Sequence, residues 1–153
     1  MKRMRGAAVW AVFAMVSSTP ALAAAQMSGA EKIHRLDVML RATAAQCKGG
    51  ADDFTADYDR FATNHRGVLE TADGEMRAQL SRPAGPSGSW REMRRFNVAV
   101  ADAYDRGHPW LDCHQLAMAT HAMADVIGRA TLEESADQLI DYRAPVRMAS
   151  AHR

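Results

Sequence analysis

Four residues in the last third of the chain carry side chains that could bind a metal ion. His114, Met118, His121 and Asp125 recur at steps of four, three and four residues. On a helix with roughly 100° per residue, they cluster on a stripe separate from the apolar residues that follow Cys113. Imidazole nitrogen together with thioether sulfur or carboxylate oxygen suits copper, zinc or nickel. The pattern therefore indicates a transition-metal site on one helix face.

The same four residues also fit a polar helix flank that meets solvent or a neighbouring helix. His114 and His121 are two turns apart, about 10 Å along the helix axis, so one ion cannot easily reach both. A site would need a pair such as His121 with Asp125, completed by another element or by a second subunit. The sequence leaves both interpretations open.

Haem attachment and catalytic motifs can be tested directly against the sequence. Cys113-His114 is half of a Cys-x-x-Cys-His motif, but Trp110 stands where the first cysteine should be. This excludes covalent haem in its usual two-thioether form, whereas non-covalent haem with histidine and methionine ligands is compatible with the sequence. No Gly-x-Ser-x-Gly, His-Glu-x-x-His or phosphate-loop motif is present. No catalytic residue is therefore assigned.

The chain has two cysteines, Cys47 and Cys113, which we expect to form a disulfide. Export to an oxidising compartment favours the bond. In an up-down-up-down bundle, the end of the first helix and the start of the fourth lie at the same pole. We expect Trp110 to plug this pole beside the disulfide, together with Leu111, while His108 and Pro109 shape the turn that precedes them.

The N-terminal segment is typical of a secretory signal peptide. Lys2, Arg3 and Arg5 precede an apolar run at 6–16, which is too short to span a bilayer, and small residues follow. We expect residues 1–25 to be removed by cleavage after Ala23 or Ala25, which would make the mature protein periplasmic or secreted, without a membrane span. Residues 26–143 would form a single domain, followed by a frayed tail at 144–153.

Charge balance gives no general reason to expect a nucleic-acid partner. The whole chain has 19 basic and 18 acidic residues. Removal of the three basic residues of the signal peptide leaves 16 against 18, a net charge of about −2 for the mature chain. The partner that we expect is instead an unknown protein or small molecule.

Apolar residues recur at three- and four-residue spacing along most of the mature chain, which is typical of amphipathic helices. We expect a first helix at 28–47. A second should begin with an acidic cap at Asp52 or Asp53 and reach about residue 80, with a bend at Gly67 or at Asp73-Gly74. His65 lies on its apolar stripe and should be a core or boundary histidine with one hydrogen bond.

The second half of the chain predicts further helices after a breaker-rich loop at 82–88. A third helix at 89–104 should place Trp90 on its inner face. A fourth, at about 112–127, should start with a capping box formed by Asp112 and Gln115 and include Ile127 in its core stripe. A short fifth helix from Thr131 could run to residue 142, or the fourth could continue with a kink. The fold predicted is all-α, an antiparallel bundle of four main helices.

Two segments carry a resemblance to known proteins. The segments ADDFTADYDRF at 51–61 and GHPWLDC at 107–113, with Met-Leu-Arg at 39–41 and Cys47, resemble a group of short exported bacterial proteins of uncharacterised function. Some of these carry a name of the adenosylhomocysteine hydrolase type. That activity requires a Gly-x-Gly-x-x-Gly turn between a strand and a helix, which this chain lacks. The resemblance therefore implies export and no active-site residue.

Three function classes follow from these observations. We favour a small exported interaction or envelope-associated protein without catalytic activity, because every residue noted above has an adequate structural role. The second class is a periplasmic helical bundle that binds a transition metal or haem through histidine and methionine. A hydrolase is the third and weakest class.

Overall fold

The computed structural model describes residues 27–140, and these residues are all-α. They form five helices, namely α1 (Gly29–Cys47), α2 (Thr55–Asn64), α3 (Arg66–Ala103), α4 (Cys113–Ala124) and α5 (Arg129–Ile140), with no strand in this range. The expected helical class is confirmed. The expected signal peptide and the C-terminal tail lie outside the described residues.

Helix α1 is the centre of the core and contacts each of the other four helices. The Ser28 side chain caps it by accepting a hydrogen bond from the Glu31 amide at 3.2 Å. Ile33, Leu36 and Leu40 are completely buried along the predicted apolar stripe. Each such side chain contributes about 1.5–3 kcal/mol through burial. The first helix therefore has the bounds and the buried face that its sequence predicts.

The break in the second predicted helix falls at His65, so the expected bend at Gly67 or Asp73-Gly74 is wrong. His65 leaves helical geometry with φ −100° and ψ 12°, and α3 begins at the next residue. Its buried ring donates from Nε2 to the Met123 carbonyl at 2.8 Å, and Asn64 donates to the Ala124 carbonyl at 2.9 Å. These carbonyls lie in the last turn of α4, where helical partners are lacking. Hydrogen bonds to the C-terminal end of α4 thus hold the break between α2 and α3 at His65.

The loop predicted at 82–88 is wrong in extent but right in place, because the helical break falls inside this segment and is confined to Gly85. This residue, with φ 70° and ψ 171°, divides α3 into a first arm at 66–84 and a second arm at 86–103. Met93, Val100 and Tyr104 are buried as expected. Trp90 is 61% exposed, which contradicts its predicted place on the inner face. The Arg77 guanidinium covers its ring at 4.9 Å from the centroid.

The capping box at the start of α4 is confirmed. Asp112 accepts from the Gln115 amide at 2.8 Å, and the Gln115 side chain accepts from the Asp112 amide at 3.0 Å. The helix ends at Ala124 rather than 127, and Ile127 is 93% exposed, so its predicted core position is wrong.

A separate fifth helix follows, as the first of the two alternatives predicted. It begins at Arg129, two residues before the predicted start at Thr131, and it extends at least to Ile140. Leu132 is fully buried, and Leu139 and Ile140 pack partly against the core.

Candidate functional site

Helices α2 and α4 meet along a face that carries both candidate histidines. The Nδ1 atom of His114 lies 3.0 Å from Asp52 Oδ1, and Nδ1 of His121 lies 2.8 Å from Asp57 Oδ1. Asp125 pairs with Arg60 of α2. The acidic segment at the start of α2 therefore supplies a carboxylate to each histidine of α4.

These carboxylates fix which ring nitrogen is available. A neutral imidazole that donates from Nδ1 keeps its lone pair on Nε2. Both histidine side chains are well exposed, so these lone pairs can be reached from solvent. Metal-binding histidines in proteins commonly donate their second ring N–H to a carboxylate in this manner. The same kind of contact, from Nδ1 to a carboxylate, holds the rings of His114 and His121 here.

The four predicted ligands divide into two sets. Met118 is 62% exposed and lies one turn from each histidine along the helix. Asp125 is held by Arg60, whose guanidinium lowers the pKa of this carboxyl by hydrogen bonding. Within residues 27–140, no three histidine, cysteine, aspartate or glutamate side chains are grouped so that they could hold a metal ion. A metal site on this face would therefore need a further ligand beside the histidines, such as the Met118 thioether.

The pole contains the predicted disulfide, which is confirmed. Cys47 and Cys113 are joined, with their Cα atoms 5.8 Å apart and a sequence separation of 66 residues. His108 is buried between Tyr104, which stacks on it at 5.4 Å, and Trp110, which meets it edge-on at 4.7 Å. Trp110 is 38% exposed, so it does not plug the pole as predicted. Leu111 packs against the core, and Pro109 is exposed.

The structure contains a groove between α1 and α3 that the sequence patterns described above do not predict. It encloses about 300 Å³, and His34, Asp37, Arg41, Leu69, Glu70, Asp73 and Asn97 line it. The buried His34 ring is held from both sides, with Nε2 2.6 Å from Asn97 Oδ1 and Nδ1 3.4 Å from Asp73 Oδ1. His34, Asp37 and Arg41 recur at helical spacing and form a polar stripe beside the apolar stripe of α1. This stripe is the sequence pattern from which the groove could have been predicted.

The second arm of α3 presents a basic and aromatic surface, the α3 face, formed by Trp90, Arg91, Arg94, Arg95 and Val98. All five side chains are exposed. Arg95 pairs with Glu92 at 2.7 Å. This ion pair is typical of a solvated helix face, whereas the exposed tryptophan among the arginines is an unpredicted feature.

Comparison with known proteins gives no match: no protein-family model, no curated protein and no solved structure is significantly similar to the chain. Function is therefore inferred from the geometry of the described residues. Among these residues, no helix combines the length and apolar character that crossing a membrane requires.

Proposed function

We propose that the protein is an exported, non-catalytic helical protein that binds a soft transition-metal ion on the outer face of α4. The ion that fits best is Cu(I), bound by the Met118 sulfur and by Nε2 of His114 or His121. The main supporting observation is the pairing of both histidines with carboxylates through Nδ1, which leaves Nε2 as the lone-pair nitrogen of each neutral ring. The exposed Met118 lies one helical turn from each histidine.

The ligand chemistry selects Cu(I) over harder ions. Thioether sulfur favours Cu(I), whereas magnesium and calcium require oxygen ligands. Zn(II) in proteins is almost always held by a fuller set of nitrogen, thiolate and carboxylate ligands. The nearest carboxylates here are already engaged by His114, His121 and Arg60. The ligands that remain are imidazole nitrogen and the soft thioether sulfur of Met118.

Met118 determines how the ligands combine. His114 precedes it by four residues and His121 follows it by three, and both spacings make neighbours on a helix surface. The two histidines themselves are about 10 Å apart along the axis. Each bound ion therefore uses Met118 with one histidine, and the second histidine is an alternative partner. The scaffold that we propose is the antiparallel bundle expected from the sequence, supported by the disulfide between the end of α1 and the start of α4.

Competitive titration tests this function. The mature protein is titrated with Cu(I) against a coloured Cu(I) chelator, in parallel with Met118→Leu and a matched control, Met27→Leu, which removes a half-buried thioether far from α4 in sequence. We expect Met118→Leu to weaken Cu(I) binding at least about tenfold, or 1.4 kcal/mol, and Met27→Leu to leave it unchanged. A parent dissociation constant weaker than about 100 μM would exclude the function, as would equal affinity of parent and Met118→Leu.

The α3 face supports a second candidate, the non-catalytic interaction protein favoured from the sequence. The observation that supports this candidate is the exposure of Trp90, which is 61% exposed and lies among three arginines. Exposed tryptophan and arginine are enriched at the energetic centres of protein interfaces. An acidic polypeptide is the partner that matches this charge. Binding to poly-L-glutamate should weaken in Arg94→Gln and not in Arg66→Gln, an exposed arginine on the first arm; equal weakening in both would reject the face as a specific surface.

A further inference from the structure

The two histidines on the outer face of α4 are placed almost symmetrically about Met118. His114 precedes Met118 by four residues, and His121 follows it by three. Seven residues correspond to two helical turns with a drift of only about 20°, so both imidazoles project from the same side of α4. They are about 10 Å apart along the helix axis. Reversing the direction of the helix therefore exchanges the two histidine positions and leaves Met118 near the centre.

One copy of the chain supplies few ligands to each ion. Because of the 10 Å spacing, an ion beside Met118 can bind His114 or His121 but not both. Within residues 27–140, no three histidine, cysteine, aspartate or glutamate side chains are grouped so that they could hold a metal ion. All three candidate ligands of the outer face are exposed. A ligand from a second molecule can therefore reach the ion from solvent.

A second copy of the chain provides the missing ligand. When two α4 helices lie antiparallel across a twofold axis between residues 117 and 118, His114 of one copy lies opposite the partner's His121. The twofold axis generates a second, equivalent pair two turns away. Each pair lies one turn from a Met118. The other residue at the centre is Ala117, whose small side chain allows two helices to approach closely.

Charge makes this pairing dependent on the ion. Asp52 contacts His114, and Asp57 contacts His121, so each antiparallel site brings together one carboxylate from each copy. Like charges that face each other across an interface oppose association. A bound cation offsets this repulsion while it joins the two imidazoles. We therefore expect the metal-free protein to be a monomer.

We propose that Cu(I) joins two copies of the chain through the outer faces of their α4 helices, in an antiparallel dimer with two metal sites. Each ion binds His114 of one copy, the partner's His121 and one Met118 sulfur. The inference rests on the metal-binding function proposed above and adds the partner, which is a second copy of this chain. Because binding and association are linked, an ion that favours the dimer binds the dimer more tightly, so Cu(I) affinity rises with protein concentration.

Analytical ultracentrifugation of the mature protein tests the dimer. We expect the metal-free protein to sediment as a monomer. The Cu(I)-loaded protein, kept reduced with ascorbate, should sediment as a dimer that dissociates when a chelator removes the ion. Self-association should be at least about tenfold tighter with Cu(I) than without it. Cys47 and Cys113 are joined within one chain, so a disulfide between copies does not account for such a dimer.

Mixing two variants tests the crossed arrangement of the ligands. In His114→Ala or His121→Ala alone, each site of the dimer retains one histidine, so Cu(I)-dependent dimerisation should weaken at least about tenfold. A mixture of the two variants restores one complete site, because the first variant contributes His121 and the second contributes His114. The mixture should therefore dimerise again around one bridging Cu(I). The control is either variant mixed with His114→Ala/His121→Ala, which provides no complete site and should not restore the dimer.

Chelator competition on the same samples separates the possible failures. Cu(I) binding by a parent that stays monomeric would overturn this inference and leave the single-chain site intact. A parent dimer that the mixed variants do not restore would overturn the crossed pairing and with it the proposal. A parent that binds no Cu(I) would overturn both this inference and the proposed function. If a histidine variant does not fold, the oligomeric state of the parent with and without Cu(I) still decides.

Discussion

At the scale of single residues, the two adjacent carboxylates Asp52 and Asp53 have different tasks. Asp52 pairs with His114 on α4. Asp53 accepts hydrogen bonds from the amides of Gly49 at 2.8 Å and Thr55 at 2.9 Å, and from the Thr55 hydroxyl at 2.7 Å. The sequence predicted an acidic cap from either residue. In the structure Phe54 occupies the cap position of α2 without a side-chain cap bond, so the acidic cap predicted at Asp52 or Asp53 is wrong. Asp53 instead binds the amide of Thr55, the first residue of the helix, while Asp52 reaches α4.

Asp53 should make stability depend on pH at the acidic end. Its hydrogen bonds, first that from Gly49, lower its pKa from 3.8 to about 2. Because the folded pKa is depressed, the stabilisation is present above pH 3.8 and is lost as the pH falls through about 2. Asp53→Asn should therefore lower the free energy of unfolding at neutral pH, and the difference from the parent should shrink between these two values.

Urea unfolding at a series of pH values measures this difference. Asp102→Asn, an exposed residue of α3, is the control of equal charge change and should show little effect at any pH. A constant difference between parent and Asp53→Asn down to pH 2 would contradict the role assigned to the charged form of Asp53.

Trp110 should contribute less to stability than a buried aromatic residue does. Its ring contacts His108 but is 38% exposed, whereas Phe54 is completely buried. Trp110→Ala should reduce the free energy of unfolding by about 1 kcal/mol, and Phe54→Ala by about 3–5 kcal/mol. Denaturant unfolding of the two variants checks the order. A loss at Trp110 as large as that at Phe54 would restore the plug that the sequence predicted.

At the scale of elements, periodicity located the helices better than it located their breaks. The stripe of α1 and the capping box of α4 are local signals, and both are confirmed. The break at His65 depends on the Met123 carbonyl, 58 residues away, which no local pattern reveals. The segment at 82–88 looked like a loop because it is rich in proline and glycine, yet one glycine conformation is enough to change the direction of α3.

Two glycines of α3 should respond oppositely to the same substitution. Gly85 has φ 70° and ψ 171°, a region that is essentially confined to glycine, so Gly85→Ala should destabilise by about 1–3 kcal/mol. Gly74 is helical and exposed, and an added Cβ there meets no atom within 4 Å. Gly74→Ala should stabilise by about 0.5–1 kcal/mol. Thermal unfolding of both variants tests this, and a stabilising Gly85→Ala would refute the break in α3.

At the scale of the whole molecule, the helical class and the disulfide were predictable because each rests on composition, periodicity and cysteine count. The number of helices packed around α1 was less predictable. A separate fifth helix was only one of two alternatives, the other being a kinked continuation of the fourth. The pairing of His114 and His121 with the acidic segment was not foreseen at all. It requires α2 and α4 to lie side by side, which is a property of the fold rather than of either helix.

The disulfide should stabilise the whole molecule mainly through the unfolded chain. Closing a segment of 66 residues corresponds to about 4 kcal/mol in the chain-entropy model. The double variant Cys47→Ala/Cys113→Ala should therefore lose about 4 kcal/mol of unfolding free energy and unfold at a lower denaturant concentration. The reduced parent should show the same loss. Urea titration with and without reductant measures it. Identical curves for oxidised and reduced parent would show that the bond contributes nothing.

A Met118-dependent metal site on α4 can be tested by X-ray absorption spectroscopy at the copper edge. In the Cu(I)-loaded mature protein we predict both nitrogen and sulfur in the first coordination shell. The sulfur contribution should disappear in Met118→Leu and persist in Met27→Leu. A parent spectrum with no sulfur ligand, or a sulfur contribution unchanged by Met118→Leu, would show that Met118 does not bind the metal ion.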